Sequence, residues 1–272
     1  MHDPGGLMVA VLALLVVGAA AGFAGGLFGI GGGFVVVPAL MFLLPLIGVM
    51  REEITHVAVG TSLASIIFTS IRSTLAHGQR QAVDFEVLRD WAPWTVLGTM
   101  IGTLVAHYIS AAQLALVFGS GVLGFALYFF LPDGLAVPRF AALPSGLPRA
   151  GIASALGAFS TLLGIGGGTL TTVTMTACGA PIHRAIGTAA GMGAVIAVPA
   201  TLGFIAIGLG VPGAGWGALG YVNLPAAGLL IITSMLCAPY GVAAAHHLPA
   251  AVLRRAFGVY LAVIGVIMIA RV

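Results

Sequence analysis

Two glycine clusters have the clearest chemical potential in this chain. The strings FGIGGGFVVVPAL, from Phe28, and LGIGGGTLTTVTM, from Leu163, share a GIGGG core 135 residues apart. Gly31, Gly32 and Gly33 close the first core, and Gly166, Gly167 and Gly168 close the second. Each cluster stands directly before a short apolar segment. Glycines at a helix start let the backbone turn sharply and present several unpaired peptide N–H groups. Those donors, and the partial positive charge of a helix start, suit an anion. Close packing of helices through small residues is the competing use. Neither cluster has the strand context or the GK[ST] ending of a nucleotide loop.

Hydroxyls recur at matched places downstream. THVAVGTSLA, from Thr55, aligns with IHRAIGTAAG, from Ile182. Thr61 and Ser62 follow Gly60, and Thr188 follows Gly187. Thr169, Thr172 and Thr176 share one face of the segment after the second cluster. Hydroxyls can donate to oxyanion oxygens, but in lipid they commonly bond carbonyls of their own helix. His56 matches His183, and His107 matches His246. Histidine titrates near neutral pH, which offers a route to proton coupling, and it can ligate a metal. There is no HExxH motif or compact metal-ligand set, so no metal site and no cofactor are expected. Arg184, beside His183, could attract an anion at an entrance or serve to set topology.

These residues must be positioned by a membrane-embedded scaffold. The 272 residues are 60% hydrophobic and only 6% charged, with a mean hydropathy of +1.16. Soluble domains carry about 25% charged residues. The ten basic residues are all arginine, and the seven acids end at Asp133. An all-α polytopic membrane protein follows, because backbone polar groups in lipid must be paired within helices. Charge-free stretches suggest about ten helical segments: 7–28, 34–49, 57–76, 92–109, 112–131, 147–163, 168–180, 185–210, 219–238 and 251–271. The segments at 34–49 and 168–180 are short enough to be half-helices or re-entrant, so eight full spans is an alternative count. No acid lies deep in a segment, which argues against a carboxylate proton relay, an intramembrane aspartyl protease and enzyme activity generally. No basic tract suits nucleic acid.

The chain is a duplication. A third matched pair, GTLVAHYISAAQLALVFG from Gly102 and GVAAAHHLPAAVLRRAFG from Gly241, follows the other two in the same order. The first repeat is expected at 1–132, a proline-rich linker at 133–148 and the second repeat at 149–272. If every segment crosses, eight arginines lie on one side, and the positive-inside rule makes that side cytoplasmic. Five crossings per unit would invert one repeat relative to the other, a common transporter design with its site at the repeat interface.

The blocks GGLFGIGGGFVVVP and HVAVGTSL, and the second GIGGG followed by HRAIGT, resemble the TauE/SafE sulfite exporter family over nearly the whole chain. The resemblance implies a multi-pass inner-membrane permease, with a small sulfur oxyanion or organosulfonate as its partner and export as its direction. It places family motifs on Gly29–Gly33, Gly164–Gly168, Gly60–Ser62 and Gly187–Thr188. Ala189 stands where Ser62 has a hydroxyl, a departure from symmetry that the threonines after Gly168 could offset. The alternatives are a passive anion channel and a cation or metal transporter using the paired histidines.

Overall fold

The computed structural model describes residues 4–29, 31–130, 142–245 and 250–270. Ten α-helices occur among them: α1 Pro4–Phe28, α2 Gly33–Leu43, α3 Ile54–Gly78, α4 Phe85–Tyr108, α5 Ala111–Phe130, α6 Gly146–Leu162, α7 Gly168–Ala177, α8 Ile182–Gly208, α9 Leu224–Ala245 and α10 Ala250–Ala270. A two-residue hairpin, β1 (Ala218–Leu219) and β2 (Val222–Asn223), joins α8 to α9, with Ala218 paired to Asn223. By length and composition, four helical stretches can cross a membrane: Met8–Phe28, Ile54–Gly78, Ile182–Gly208 and Leu224–Ala245.

Two boundaries differ from the charge-free reading, for related reasons. Helix α4 begins at Phe85, earlier than the expected 92, and takes Glu86, Arg89 and Asp90 into its first turns. Asp84 starts it, because its carboxylate accepts the Val87 amide at 3.2 Å. Helix α9 begins at Leu224, later than the expected 219, because the hairpin occupies 218–223. Asn223 starts that helix in the same way, its Oδ1 accepting the Ala226 amide at 3.0 Å. Capping relieves the orphan amides of a helix start, and it decides a boundary that charge counting cannot see.

The two halves of the chain interleave. Helix α1 lies along α9, and α4 lies along α6; α3 crosses α8, and α5 packs on α10. Every one of these pairs joins the first half of the chain to the second. Small residues make the close approaches. Gly18, Gly22 and Gly26 of α1 leave no room for a side chain against Leu230, Ser234 and Ala238 of α9. Gly98 and Gly102 of α4 do the same against Ser154 and Ala158 of α6. The proposed linker falls largely on 131–141, outside the described residues; 142–148 lead into α6.

The bundle is apolar outside. Met100, Leu104, Leu127, Leu202, Leu236 and Val266 are exposed on five different helices. The core pairs apolar side chains such as Phe34, Leu63, Phe118 and Phe204 with many buried hydroxyls. Lipid as the outer solvent permits the first, and several of the buried hydroxyls, Thr69, Thr95, Thr99 and Thr161 among them, bond carbonyls of their own helix.

Candidate functional site

The two glycine clusters form matched loops. Gly29, Gly31 and Gly32 have φ of 68°, 70° and 84°; their counterparts Gly164, Gly166 and Gly167 have 60°, 66° and 75°. Residues with a Cβ resist these left-handed angles, which explains the glycines locally. Gly32 and Gly167 are the residues that open α2 and α7. The loops then converge. A Cβ on Gly31 would sit 2.9 Å from Cγ2 of Ile66, and one on Gly166 would sit 2.7 Å from the same methyl. Gly33 rests on the other loop, where a Cβ would fall 2.7 Å from the Cα of Ile165. Thus Gly31 and Gly166 meet at Ile66 and Gly33 lies on the second loop, near the crossing of α3 and α8, while Gly32 faces Ala21 and Gly167 faces Ile196 and Ser160.

The GT motifs serve as matched latches. Thr61 Oγ1 accepts the amide of Asn223 at 2.9 Å, and Thr188 Oγ1 accepts the amide of Asp84 at 2.9 Å. Asn223 and Asp84 are the residues that cap α9 and α4, so each threonine grips the start of a helix from the other repeat. The preceding glycine provides the space. A Cβ on Gly60 would meet the Tyr221 carbonyl at 2.5 Å, and one on Gly187 would collide with the Ala82 carbonyl. Ser62 acts elsewhere. Its Oγ donates to the Gly164 carbonyl at 2.9 Å and ties α3 to the second glycine loop.

Several hydroxyls near the loops have no partner. The oxygens of Ser70, Ser160, Thr169, Thr171 and Thr172 are buried without a hydrogen bond. Ser70 Oγ lies 3.5 Å from the Cβ position of Gly31 and occupies the space a side chain on Gly193 would need. Ser160 Oγ lies 3.1 Å from the Cβ position of Gly167. Buried polar atoms are nearly always paired, so such a cluster needs a reason. On α7 the buried threonines are Thr169 and Thr171. Thr172 is half-buried, and Thr176 donates to the Thr172 carbonyl at 2.8 Å. Sequence reasoning missed Ser70, Ser160 and Thr171. The one signal for Ser70 was its spacing of eight residues, about two helical turns, from Ser62 on α3; no sequence pattern marked Ser160 or Thr171.

The histidines and Arg184 stand apart from this centre. His56 Nε2 contacts the Ala106 carbonyl at 2.9 Å, and its ring stacks on Tyr221 with centroids 4.9 Å apart. His56 and His107, with Arg51, Glu52, Glu53, Tyr221 and the start of α5, line a cavity of about 420 Å³. Burial first, and then the Glu53 carboxylate, push the Tyr221 phenol up to about 12. His183 is exposed at the start of α8, far along the chain from His56. His246 and His247 lie outside the described residues. Arg184 pairs with Asp84 at 3.0 Å and so braces the Thr188 latch. The opposite charges of Arg149 and Asp90, and a 3.0 Å bond from Arg80 to the Val242 carbonyl, gather the arginines at that end of the bundle.

An apolar helical exterior around buried hydroxyls marks a multi-pass membrane protein. Similarity to known proteins makes the class specific. The family described as "Sulfite exporter TauE/SafE" matches residues 14–268, and the chain belongs to it. A Haemophilus influenzae protein described as "Probable membrane transporter protein" is 34% identical, over 95% of this chain and 97% of its own. A Methanocaldococcus jannaschii protein with a like description is 26% identical over 94% of each chain. A Bacillus subtilis relative, also described as a probable membrane transporter protein, is 39% identical over 39% of each chain. No solved structure matches. The chain is a membrane transporter, not an enzyme.

Proposed function

We propose that the chain exports a small sulfur-containing oxyanion, sulfite or an organosulfonate, across a prokaryotic inner membrane. The observation that carries this reading is the meeting of two matched glycine loops at Ile66, beside buried hydroxyls that lack partners. Helix starts and neutral donors can replace the hydration of an oxyanion without a buried cation. Sulfur chemistry and outward direction come from the family description.

Alternating access of two inverted repeats is the mechanism we favour. Its support is the antiparallel crossing of α3 and α8: Gly60 faces Phe204, Ser70 faces Gly193, and His77 faces Gly187. In this reading the arginine-rich end is cytoplasmic. The 420 Å³ cavity is then the external vestibule. From His56, on its wall, to Ile66 is ten residues of α3, about 15 Å along the helix. Cavity and loops are thus neighbours along one helix rather than one site.

Sulfite flux into proteoliposomes tests the function, with empty vesicles and a Gly167→Val protein as controls. Saturable flux that requires intact Gly167 is the expected result. No flux in either gradient direction from folded protein, for sulfite or for an organosulfonate, overturns the sulfur reading.

A further inference from the structure

The electrostatics of the loop centre go further than the identity of the transported element. No arginine, aspartate or glutamate is among the buried residues of the described chain, and its buried histidines, His56 and His77, lie ten and eleven residues along α3 from Ile66, about 15 Å or more away on that helix. The positive potential at the loops therefore comes from the starts of α2 and α7, each worth roughly half an elementary charge. Together they balance about one negative charge. A second charge brought to the same place would stay uncompensated in a low-dielectric interior, where an unpaired ion costs several kcal/mol.

The donors are neutral as well. Ser70 is 1% exposed, and its Oγ has no partner. It points to the contact region of Gly31 and Gly193, where the Gly166 carbonyl is also 3.4 Å from the Cβ position of Gly193. Its position in the second repeat is held by Ala197, one turn beyond Gly193. The hydroxyl that lies against Gly31 and Gly193 thus has no counterpart at the aligned position of α8. Ser160, beside Gly167, and Thr169, in the first turn of α7, are unpartnered as well.

We infer that the loop centre binds singly charged oxyanions and rejects doubly charged ones, with the Ser70 hydroxyl donating to the bound anion. This rests on the anion reading above and narrows it to sulfonates and hydrogen sulfite, away from sulfate and the sulfite dianion. The test uses methanesulfonate and sulfate, which are nearly the same size and differ by one charge. Binding of each to the purified full chain is measured by titration calorimetry at one pH, with nitrate as a sulfur-free monoanion.

Methanesulfonate is expected to bind about 100-fold tighter than sulfate. Ser70→Ala is expected to weaken methanesulfonate about tenfold, as for a hydrogen bond to a charged group, with no change in melting temperature. Sulfate binding as tightly as methanesulfonate overturns the inference and leaves the sulfur reading intact. Nitrate binding that depends on Ser70, with neither sulfur anion bound, has the opposite consequence. No binding of any anion by folded protein overturns both. Unchanged methanesulfonate affinity in Ser70→Ala removes the hydroxyl from the site. Should that variant not fold, Ser70→Cys, which keeps the volume and loses most donor strength, decides the same point.

Discussion

Helices α3 and α8 carry the two aligned GT blocks and do different work. Both begin with a GT latch that holds a helix start from the other repeat. Past the latch they diverge. Helix α3 carries Ser62, Ser65, Thr69, Ser70 and Ser73, all buried. The aligned positions of α8 are Ala189, Met192, Ile196, Ala197 and Ala200, also buried. The matched blocks therefore keep the frame while at these positions the hydroxyls sit on α3 alone; the second half supplies its unpartnered hydroxyls from α6 and α7 instead. An anion needs enough donors at one point, and they need not come equally from both halves. The latch is different: if either copy failed, a helix start would lose its anchor.

The largest expected effect tests the shared part. Gly60→Leu and Gly187→Leu each push a side chain into a backbone carbonyl, which a flexible neighbour cannot relieve. Both variants should lose monodisperse protein in size-exclusion chromatography, and loss in only one would break the equivalence of the latches. Next come Thr61→Val and Thr188→Val. Each leaves a capping amide without its acceptor, at a cost of about 1–3 kcal/mol. A fall in melting temperature should follow in both, larger for Thr61, whose bond to Asn223 is the fully buried one.

The unshared part should respond unequally. Ser62→Ala removes the bond to the Gly164 carbonyl, worth about 1 kcal/mol, and should lower transport by loosening the second loop. Ala189→Ser, at the matched position of α8, should leave flux unchanged; a rise equal to the loss in Ser62→Ala would argue for a symmetric site. The smallest effect concerns Tyr221, whose counterpart is Ala82. Its phenol titrates at about 12 in the folded chain, against an ordinary value of 10.0. Between those values the unfolded state has lost a proton that the folded state keeps, so stability falls as pH rises. Below pH 10 this group contributes no pH dependence. Denaturation curves across that window should flatten in Tyr221→Phe.

Much of this could be read from residue order alone. The helical membrane class follows from composition, and the matched glycine cores and GT blocks follow from spacing. The left-handed angles at Gly31, Gly32, Gly166 and Gly167 agree with the reason glycine was suspected there. The GT threonines were legible as a pair but not in their contacts, because Asn223 and Asp84 are 162 and 104 residues away along the chain from Thr61 and Thr188. Ser70 escaped notice because a serine in an apolar helix usually bonds its own backbone. Its lack of a partner exists only in three dimensions.

The sequence by itself determined that the chain is helical and embedded in lipid, because so few charges can be spared for water and every peptide group must be paired within its own segment. It also determined where the backbone must bend, since only glycine accepts those angles without strain. The tertiary structure decided which helices pack across the two halves of the chain, that both loops meet at Ile66, and that unpartnered hydroxyls lie beside them on α3, α6 and α7. Those facts depend on side-chain packing between residues far apart in the chain, and no local pattern carries that information.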